Sequence, residues 1–172
     1  MTSLLDLPEE IQLLILSHLD ATSLCSTCLT CHHLHNLAAE DVELGNFAEA
    51  EERARTALAG RERVLGETNY MTTTSVAVLG QALAGLGRHA EASGYLKRAL
   101  DAFAALQGPS STEALETAID YANTLASLGR PEESAAMLRS QLRDAEHDLG
   151  EKTRSPGQLE LLEKARLLLQ TF

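Results

Sequence analysis

The segment "LGRHAEASGYLKRAL" (residues 86–100) has two relatives within the same chain. It aligns without gaps with "LGNFAEAEERARTAL" at 44–58 and with "LGRPEESAAMLRSQL" at 128–142, so each copy begins 42 residues after the one before. Gly45, Gly87 and Gly129 coincide in this alignment. A fixed period of this length indicates stacked repeats of one supersecondary unit.

Each unit is predicted to be a helical hairpin. In the second unit, leucines at three- and four-residue steps share one face of a helix: Leu79, Leu83 and Leu86. Gly87 then ends that helix, because glycine readily adopts the positive φ angle of such a stop. A second helix is expected from about His89 to Leu106. A single hairpin cannot bury its own apolar face, so the units must stack.

Small residues predict a close approach of the two helices in a hairpin. Gly80 and Ala122 occupy one position in successive first helices, and they are expected to face Ala92 and Ser134 in the second helices. With little side-chain volume between them, the two backbones can come close together.

Capping signals mark two further helix starts. Ser110 with Glu113 predicts a capping box at the start of the third unit. The C-terminal segment "SPGQLELLEKARLLLQTF" (155–172) is predicted to be a capping helix that covers the end of the array. Ser155 can cap it, and Pro156 fits its first turn.

The composition favours an all-α protein. Hydrophobic residues make up 44% of the 172 residues but aromatic residues only 3%, and the chain has four prolines and no tryptophan. Packing must therefore rely on alanine and leucine, which are strong helix formers. We expect three N-terminal helices that run into a short solenoid of helical hairpins, closed by a C-terminal capping helix.

The charge distribution disfavours several classes of partner. The formal net charge is −11, and no lysine or arginine precedes Arg53, whereas ten acidic residues do. Such a chain repels nucleic-acid phosphates and anionic membrane surfaces. No apolar run approaches the roughly 18 residues of a membrane span, and no basic region precedes the first leucines, so no secretory signal is expected. Three clustered cysteines make no disulfide framework, and we expect a cytoplasmic or nuclear protein.

The repeat resembles the tetratricopeptide (TPR) repeat, in its kinesin-light-chain variety. The resemblance rests on small residues at Gly80, Ala122 and Ala92 and on the 42-residue period, in which an "LG" pair ends the second helix. It is assigned to residues 32–150, with units near 32–66, 70–108 and 112–150. It implies a helical solenoid whose first helices line a groove for a protein or peptide target.

The resemblance also implies which residues face that groove. They are Thr74, Ala77, Gln81 and Ala84 in the second unit, and Glu116, Ile119, Asn123 and Ser127 in the third. Gln81 and Asn123 share one repeat position, where their amides can bond the backbone of an extended peptide. The open alternative is that these side chains pack internally or face water. Basic residues that would hold a free C-terminal carboxylate are absent, so such a ligand is not expected.

The segment "LLDLPEEIQLLILSHLDATSLCSTCLTCHHLHNLA" (residues 4–38) does not fit the repeat. Over about residues 4–39 it resembles an F-box, through Leu7, Pro8 and Ile11 at its opening and Cys31 and Leu34 at its close. The resemblance implies binding to the adaptor subunit of an SCF-type ubiquitin ligase, and through it to a cullin. The expected adaptor-binding residues are Leu7, Pro8, Ile11, Leu14, Ile15, Leu19, Leu24 and Leu34. The alternative is a helix pair that merely caps the repeat array.

The two resemblances meet in one helix. Extending the 42-residue alignment backwards places Leu37 and Ala38 opposite Leu79 and Gly80. The last helix of the F-box is therefore expected to be the first helix of the first repeat, with Leu34 serving both cores. This predicts a rigid junction without a linker.

Cysteine and histidine cluster in the same region, at Cys25, Cys28, Cys31, His32, His33 and His35. Structural zinc sites usually draw on two separated ligand pairs and iron–sulfur clusters on a fourth cysteine, so no metal and no cofactor are expected. No phosphate-binding glycine loop, nucleophile elbow or zinc-protease motif occurs, and the chain is predicted not to be an enzyme. The histidines stand where the F-box carries positive charge, which suggests a pH-sensitive edge.

Three functional hypotheses result. The first is a substrate-recruiting subunit of an SCF-type E3 ubiquitin ligase, with the F-box on the adaptor and the repeats on a protein target. The second is a TPR scaffold that joins proteins without a ligase. The third is a metal- or redox-responsive regulator that uses residues 25–35.

Overall fold

The computed structural model describes residues 29–149 and 155–171. Within them the chain forms helices α1 to α7 and no strand: 29–44, Phe47–Leu65, Tyr70–Gly85, His89–Gln107, Thr112–Ser127, Pro131–Leu149 and Pro156–Leu169. The all-α class is thereby confirmed. Predictions that concern residues 1–28 lie outside the described residues.

The helices form three hairpins followed by the single helix α7. From α2 onward each helix packs against the next one in sequence, and α5 also contacts α3 and α7. The odd-numbered helices therefore lie side by side, with the even-numbered helices packed across them. None of the helices in residues 29–149 and 155–171 is long and apolar enough to cross a membrane.

Two apolar clusters hold the helices together, and each extends beyond a single hairpin. The larger joins the first two hairpins to α5 and includes Ala38, Ala54, Leu79, Leu96 and Ala118. The smaller joins α5, α6 and α7 and includes Leu115, Leu138 and Leu162. The cores therefore exist only in the stacked array, as the stacking argument predicts.

Glycine ends the first helix of each hairpin, as predicted. Gly87 has a φ angle of 75°, and Gly45 and Gly129 have angles of 78° and 73°. The amide of Gly87 donates to Ala84 O at 3.0 Å, and the next amide donates to Leu83 O at 2.9 Å. These bonds satisfy carbonyls that the end of α3 would otherwise leave without a partner.

The predicted close approach between the two helices of a hairpin is present, but Gly80 packs against Leu96 instead of Ala92. A Cβ atom built on Gly80 would lie 2.8 Å from Cγ of Leu96, which is fully buried. In the third hairpin, the hydroxyl of Ser134 donates to the carbonyl of Ala122 at 2.8 Å. Leu96 thus fills the space that the missing side chain at position 80 leaves open.

The predicted capping box of Ser110 and Glu113 is wrong. Helix α5 begins at Thr112, and its N-cap is Ser111, whose hydroxyl accepts from the amide of Ala114. Ser110 is buried one residue earlier and donates to Asp148 on α6. The cap of α7 agrees with its prediction, because Ser155 and Gln158 form a capping box.

The first hairpin has a more polar core than the other two. Asp41 occupies the repeat position of the buried residues Leu83 and Leu125, and it forms an ion pair with Arg53 on α2. Forty-two residues beyond Arg53 the second hairpin carries Tyr95, which packs against the apolar core. An ion pair thus replaces apolar packing between α1 and α2.

A buried arginine extends this polar core to α3. Arg61 is 2% exposed and stands at the repeat position of the buried residue Phe103. Its Nη1 donates to the carbonyl of Met71 at 2.6 Å and to the hydroxyl of Ser75 at 2.7 Å. These bonds offset the cost of burying the guanidinium and tie α2 to the first turn of α3.

We predict that Gly80→Ala destabilises the protein by about 1–3 kcal/mol, because the added methyl group overlaps Leu96. The matched control is Gly94→Ala within α4, where a Cβ atom meets nothing within 4 Å. That change should stabilise by about 0.5–1 kcal/mol, since alanine is the better helix former. Urea unfolding measures both. Equal stability of the two variants would contradict the prediction.

Candidate functional site

Most of the expected adaptor-binding residues, from Leu7 to Leu24, lie outside the described residues. Leu34 is described, and it is half-buried on α1. It lines a shallow pocket between α1 and α2 together with Cys31, Ala59 and Gly60. Cys31 is almost fully buried. One side of the α1–α2 hairpin therefore presents a small, partly apolar surface next to residue 29.

Helix α1 carries residues of both sequence patterns without interruption. Cys31 and Leu34, from the N-terminal pattern, lie in the same helix as Ala38, which is fully buried in the larger apolar cluster. The helix then ends at the turn of Gly45, where the amide of Asn46 donates to the carbonyl of Asp41 at 2.8 Å. Residues 29–44 thus leave no room for a flexible linker.

The cysteine–histidine cluster is only partly described, because Cys25 and Cys28 lie outside the described residues. Among residues 29–149 and 155–171, no group of three or more His, Cys, Asp or Glu side chains could hold a metal ion. Burial, with smaller contributions from Arg61 and His32, lowers the pKa of His35 to about 4. The hypothesis that these histidines supply positive charge is therefore wrong for His35, which is neutral near pH 7.

A groove of about 350 Å³ crosses the last turns of the odd-numbered helices. Helix α3 supplies Gln81, Ala84 and Gly85, and helix α5 supplies Asp120, Asn123, Thr124 and Ser127. The remaining walls are Val42, Phe47 and His89. The structure therefore brings together Gln81, Ala84, Asn123 and Ser127, four of the residues that the sequence pattern assigns to a groove.

The other predicted groove residues have different surroundings. Ile119 is only 3% exposed, because it packs in the smaller cluster with residues of α6 and α7. Its assignment to an open groove is corrected accordingly. Thr74 accepts from Arg61 and donates to Met71 O. Ala77 packs against the larger apolar cluster, and Glu116 is exposed.

Asp120 is the one acidic residue among the groove residues that the sequence interpretation missed. Its carboxylate accepts a hydrogen bond from Nε2 of Gln81 at 2.7 Å, which links α5 to α3. The signal was present in the sequence, because Glu116, Asp120 and Asn123 follow one another at helical steps of four and three residues. Such a polar stripe lies on one face of a helix.

The two carboxylates of this stripe have raised pKa values. Burial raises the pKa of Asp120, and the hydrogen bond from Gln81 opposes that effect. Burial is also the main cause of the raised pKa of Glu116, and the negative charges of Asp120 and Glu113 raise it further. The positive charge of Lys164 on α7 acts to lower the pKa of both carboxylates. Burial therefore disfavours the charged form of both carboxylates, and Asp120 is the acidic residue that lines the groove.

Two families match the sequence. The F-box-like family matches residues 4–44. The tetratricopeptide-repeat family matches residues 29–105 and again residues 70–146, and so covers well over half of the chain. The two families overlap at residues 29–44, which are the residues of α1.

One of the solved structures similar to this chain is the crystal structure of a TPR-like protein from Chlorobium tepidum. The similarity has a TM-score of 0.66 and covers 86% of this chain and 97% of that chain, at 20% sequence identity. At that identity the likeness shows the fold alone. A comparison with curated protein sequences found no match.

The buried position of His35 predicts a pH dependence of stability. The pKa of about 4 in the folded state lies below the ordinary value of 6.5, so between these values the unfolded chain binds a proton that the folded chain does not. The stability that neutral His35 gives to the folded state is therefore fully present above about pH 6.5, and it is lost as the pH falls toward 4. After allowance for partial exposure, the loss from this group is about 1–2 kcal/mol.

His35→Gln should reduce this loss, because glutamine cannot be protonated. His147→Gln, at an exposed position of α6, serves as the control. Thermal unfolding between about pH 4 and 7 compares the variants with the wild-type protein. Identical pH profiles for the wild type and His35→Gln would disprove the assignment.

Proposed function

Because the chain belongs to the tetratricopeptide-repeat family and also matches the F-box-like family, we propose that it is the substrate-recruiting subunit of an SCF-type E3 ubiquitin ligase. Both families are protein-interaction modules, so the chain is a protein-interaction adaptor. In the proposal the F-box binds the ligase adaptor and through it a cullin. The repeats bind the protein target.

The observation that carries the proposal is the shared helix α1. It contains the end of the F-box match and the first helix of the repeat match. Ala38 anchors it in the repeat core, and the ion pair between Asp41 and Arg53 holds it against α2. A target in the groove would therefore stand at a fixed distance and angle from the adaptor.

The proposed mechanism is proximity, with no chemical step on this chain. Holding a target beside a ubiquitin-loaded enzyme raises its effective concentration there by orders of magnitude. A rigid connection preserves this gain, because geometry must allow both contacts at once. TPR folds are typically non-catalytic scaffolds, which is consistent with such a role.

The proposed adaptor contact is apolar. The F-box match up to residue 28 contains Ile11, Leu14, Ile15 and Leu19 but no lysine or arginine. A segment of this size has little core of its own, so a partner that covers these side chains would supply the missing burial. We propose that this occurs in the cytoplasm or nucleus, since clustered cysteines suit a reducing compartment.

We predict that Ile11→Asp with Ile15→Asp weakens binding of purified adaptor by at least about 100-fold, because two apolar anchors of the interface are lost. The matched control is Leu159→Asp with Leu167→Asp, which changes two exposed leucines of α7. It should leave binding within about threefold of the wild type. Isothermal calorimetry measures affinity, and circular dichroism checks that the helices persist.

Two results would overturn the proposal. One is the absence of adaptor binding by the folded wild-type chain, which would leave the TPR scaffold without a ligase. The other is equal loss of binding in both double variants. Metal analysis of the same protein tests the regulator hypothesis, which requires about one equivalent of bound zinc or iron.

A further inference from the structure

We propose that the groove across α3 and α5 takes an extended segment of a target protein, with one lysine or arginine side chain of that segment placed against Asp120 in the groove and directed toward Glu116, which lies outside the groove one turn earlier on α5. This inference rests on the proposed function only in identifying the occupant as the recruited target. It assigns to the groove a chemical preference that neither family match supplies.

The first argument is the pairing of the two carboxylates. Asp120 is half-buried, and its only hydrogen-bond donor among the described residues is the neutral amide of Gln81. Glu116 lies one turn earlier on α5 and forms no ion pair with a described residue. Like charges four residues apart destabilise an isolated helix. A cation that contacts both would relieve this repulsion.

The second argument is the set of groups that face the pair from each neighbouring helix. Helix α3 contributes Gln81, which is uncharged, and α5 itself contributes the negative charge of Glu113. Helix α7 contributes Lys164, which acts on both carboxylates without forming an ion pair to either within the described part of the chain. The three acidic residues outnumber Lys164, so the net charge around the site is negative and complements a positive side chain.

The third argument is hydrogen-bonding capacity along the groove. The amide of Asn123 is exposed, one turn beyond Asp120. In the groove wall, Nδ1 of His89 is buried and has no hydrogen-bond partner among the described residues. Unpaired buried polar atoms are rare in native structures because each costs free energy. Backbone groups of an extended segment can pair with side chains of this kind.

The groove size and the charge of the chain narrow the choice of occupant. About 350 Å³ admits a long side chain with adjoining backbone, but it is small for a packed helix. The segment before Arg53 contains no lysine or arginine, so the chain's own N-terminal part cannot supply the cation. No lysine or arginine lines the groove, which disfavours an acidic segment or a C-terminal carboxylate.

The test uses the full chain and a phage-displayed library of ten-residue peptides. Selected peptides should carry lysine or arginine at one fixed internal position. Their affinity should fall at least about tenfold when that residue becomes norleucine, which keeps the apolar stem and removes the charge. Asp120→Asn should cause a similar loss and should make the norleucine replacement almost neutral.

Two further variants complete the design. Glu116→Gln should also weaken binding, whereas Glu132→Gln removes the same charge from an exposed position on α6 and should not. Thermal unfolding verifies that all variants fold. Selection of acidic or C-terminal peptides, no selection above background, or equal affinity for the wild type and Asp120→Asn would overturn the inference.

Adaptor binding is measured on the same preparations, so that the two proposals fail separately. Asp120→Asn should bind adaptor as the wild type does. Basic peptides bound by a chain that captures no adaptor would support the groove inference and refute the ligase role. Adaptor capture without basic-peptide binding would support the ligase role and refute the groove inference.

Discussion

The rest of this structure depends on one constraint, which is that no single hairpin can bury its own apolar face. One apolar cluster therefore joins the first two hairpins to α5, and the other joins the third hairpin to α7. The close packing of Gly80 on Leu96 brings α3 against α4. Stacking then places α3 beside α5, and these two helices supply most of the residues that line the groove. The groove is thus a product of the array and exists in no isolated repeat.

The first hairpin meets the same constraint with polar groups. Asp41 with Arg53, and Arg61 with the first turn of α3, take the place of apolar pairs in the later hairpins. Polar groups in a core need their partners in a defined geometry, because a buried donor or acceptor left without a partner costs about 1–3 kcal/mol. Apolar side chains tolerate small shifts more easily. Polar packing therefore lies in the hairpin whose first helix, α1, belongs to both family matches.

The groove combines contributions from separate hairpins into one electrostatic property. Gln81 comes from the second hairpin and Asp120 from the third. Glu116 on α5 and Lys164 on the capping helix lie outside the groove lining, and the charge of Lys164 acts on both carboxylates. Partial burial raises the pKa values of both carboxylates, while Asp120 lines the groove and Glu116 is exposed beside it. Among the described residues these carboxylates form no ion pair, and the proposed recognition of a positively charged segment depends on this local excess of acidic groups.

By itself the sequence determined the helical hairpins, their 42-residue period, the glycine turns and the cap at Ser155, because these follow from contacts within a few residues or from repetition. It also placed Gln81 and Asn123 on one face of their helices. Only the tertiary structure decided that Ile119 is buried, that Asp120 joins the groove, that Ser110 turns toward Asp148 and that His35 is neutral. Burial and charge at these positions depend on which neighbouring helix covers each face. Helical periodicity specifies the face of a helix but not the element that packs on it.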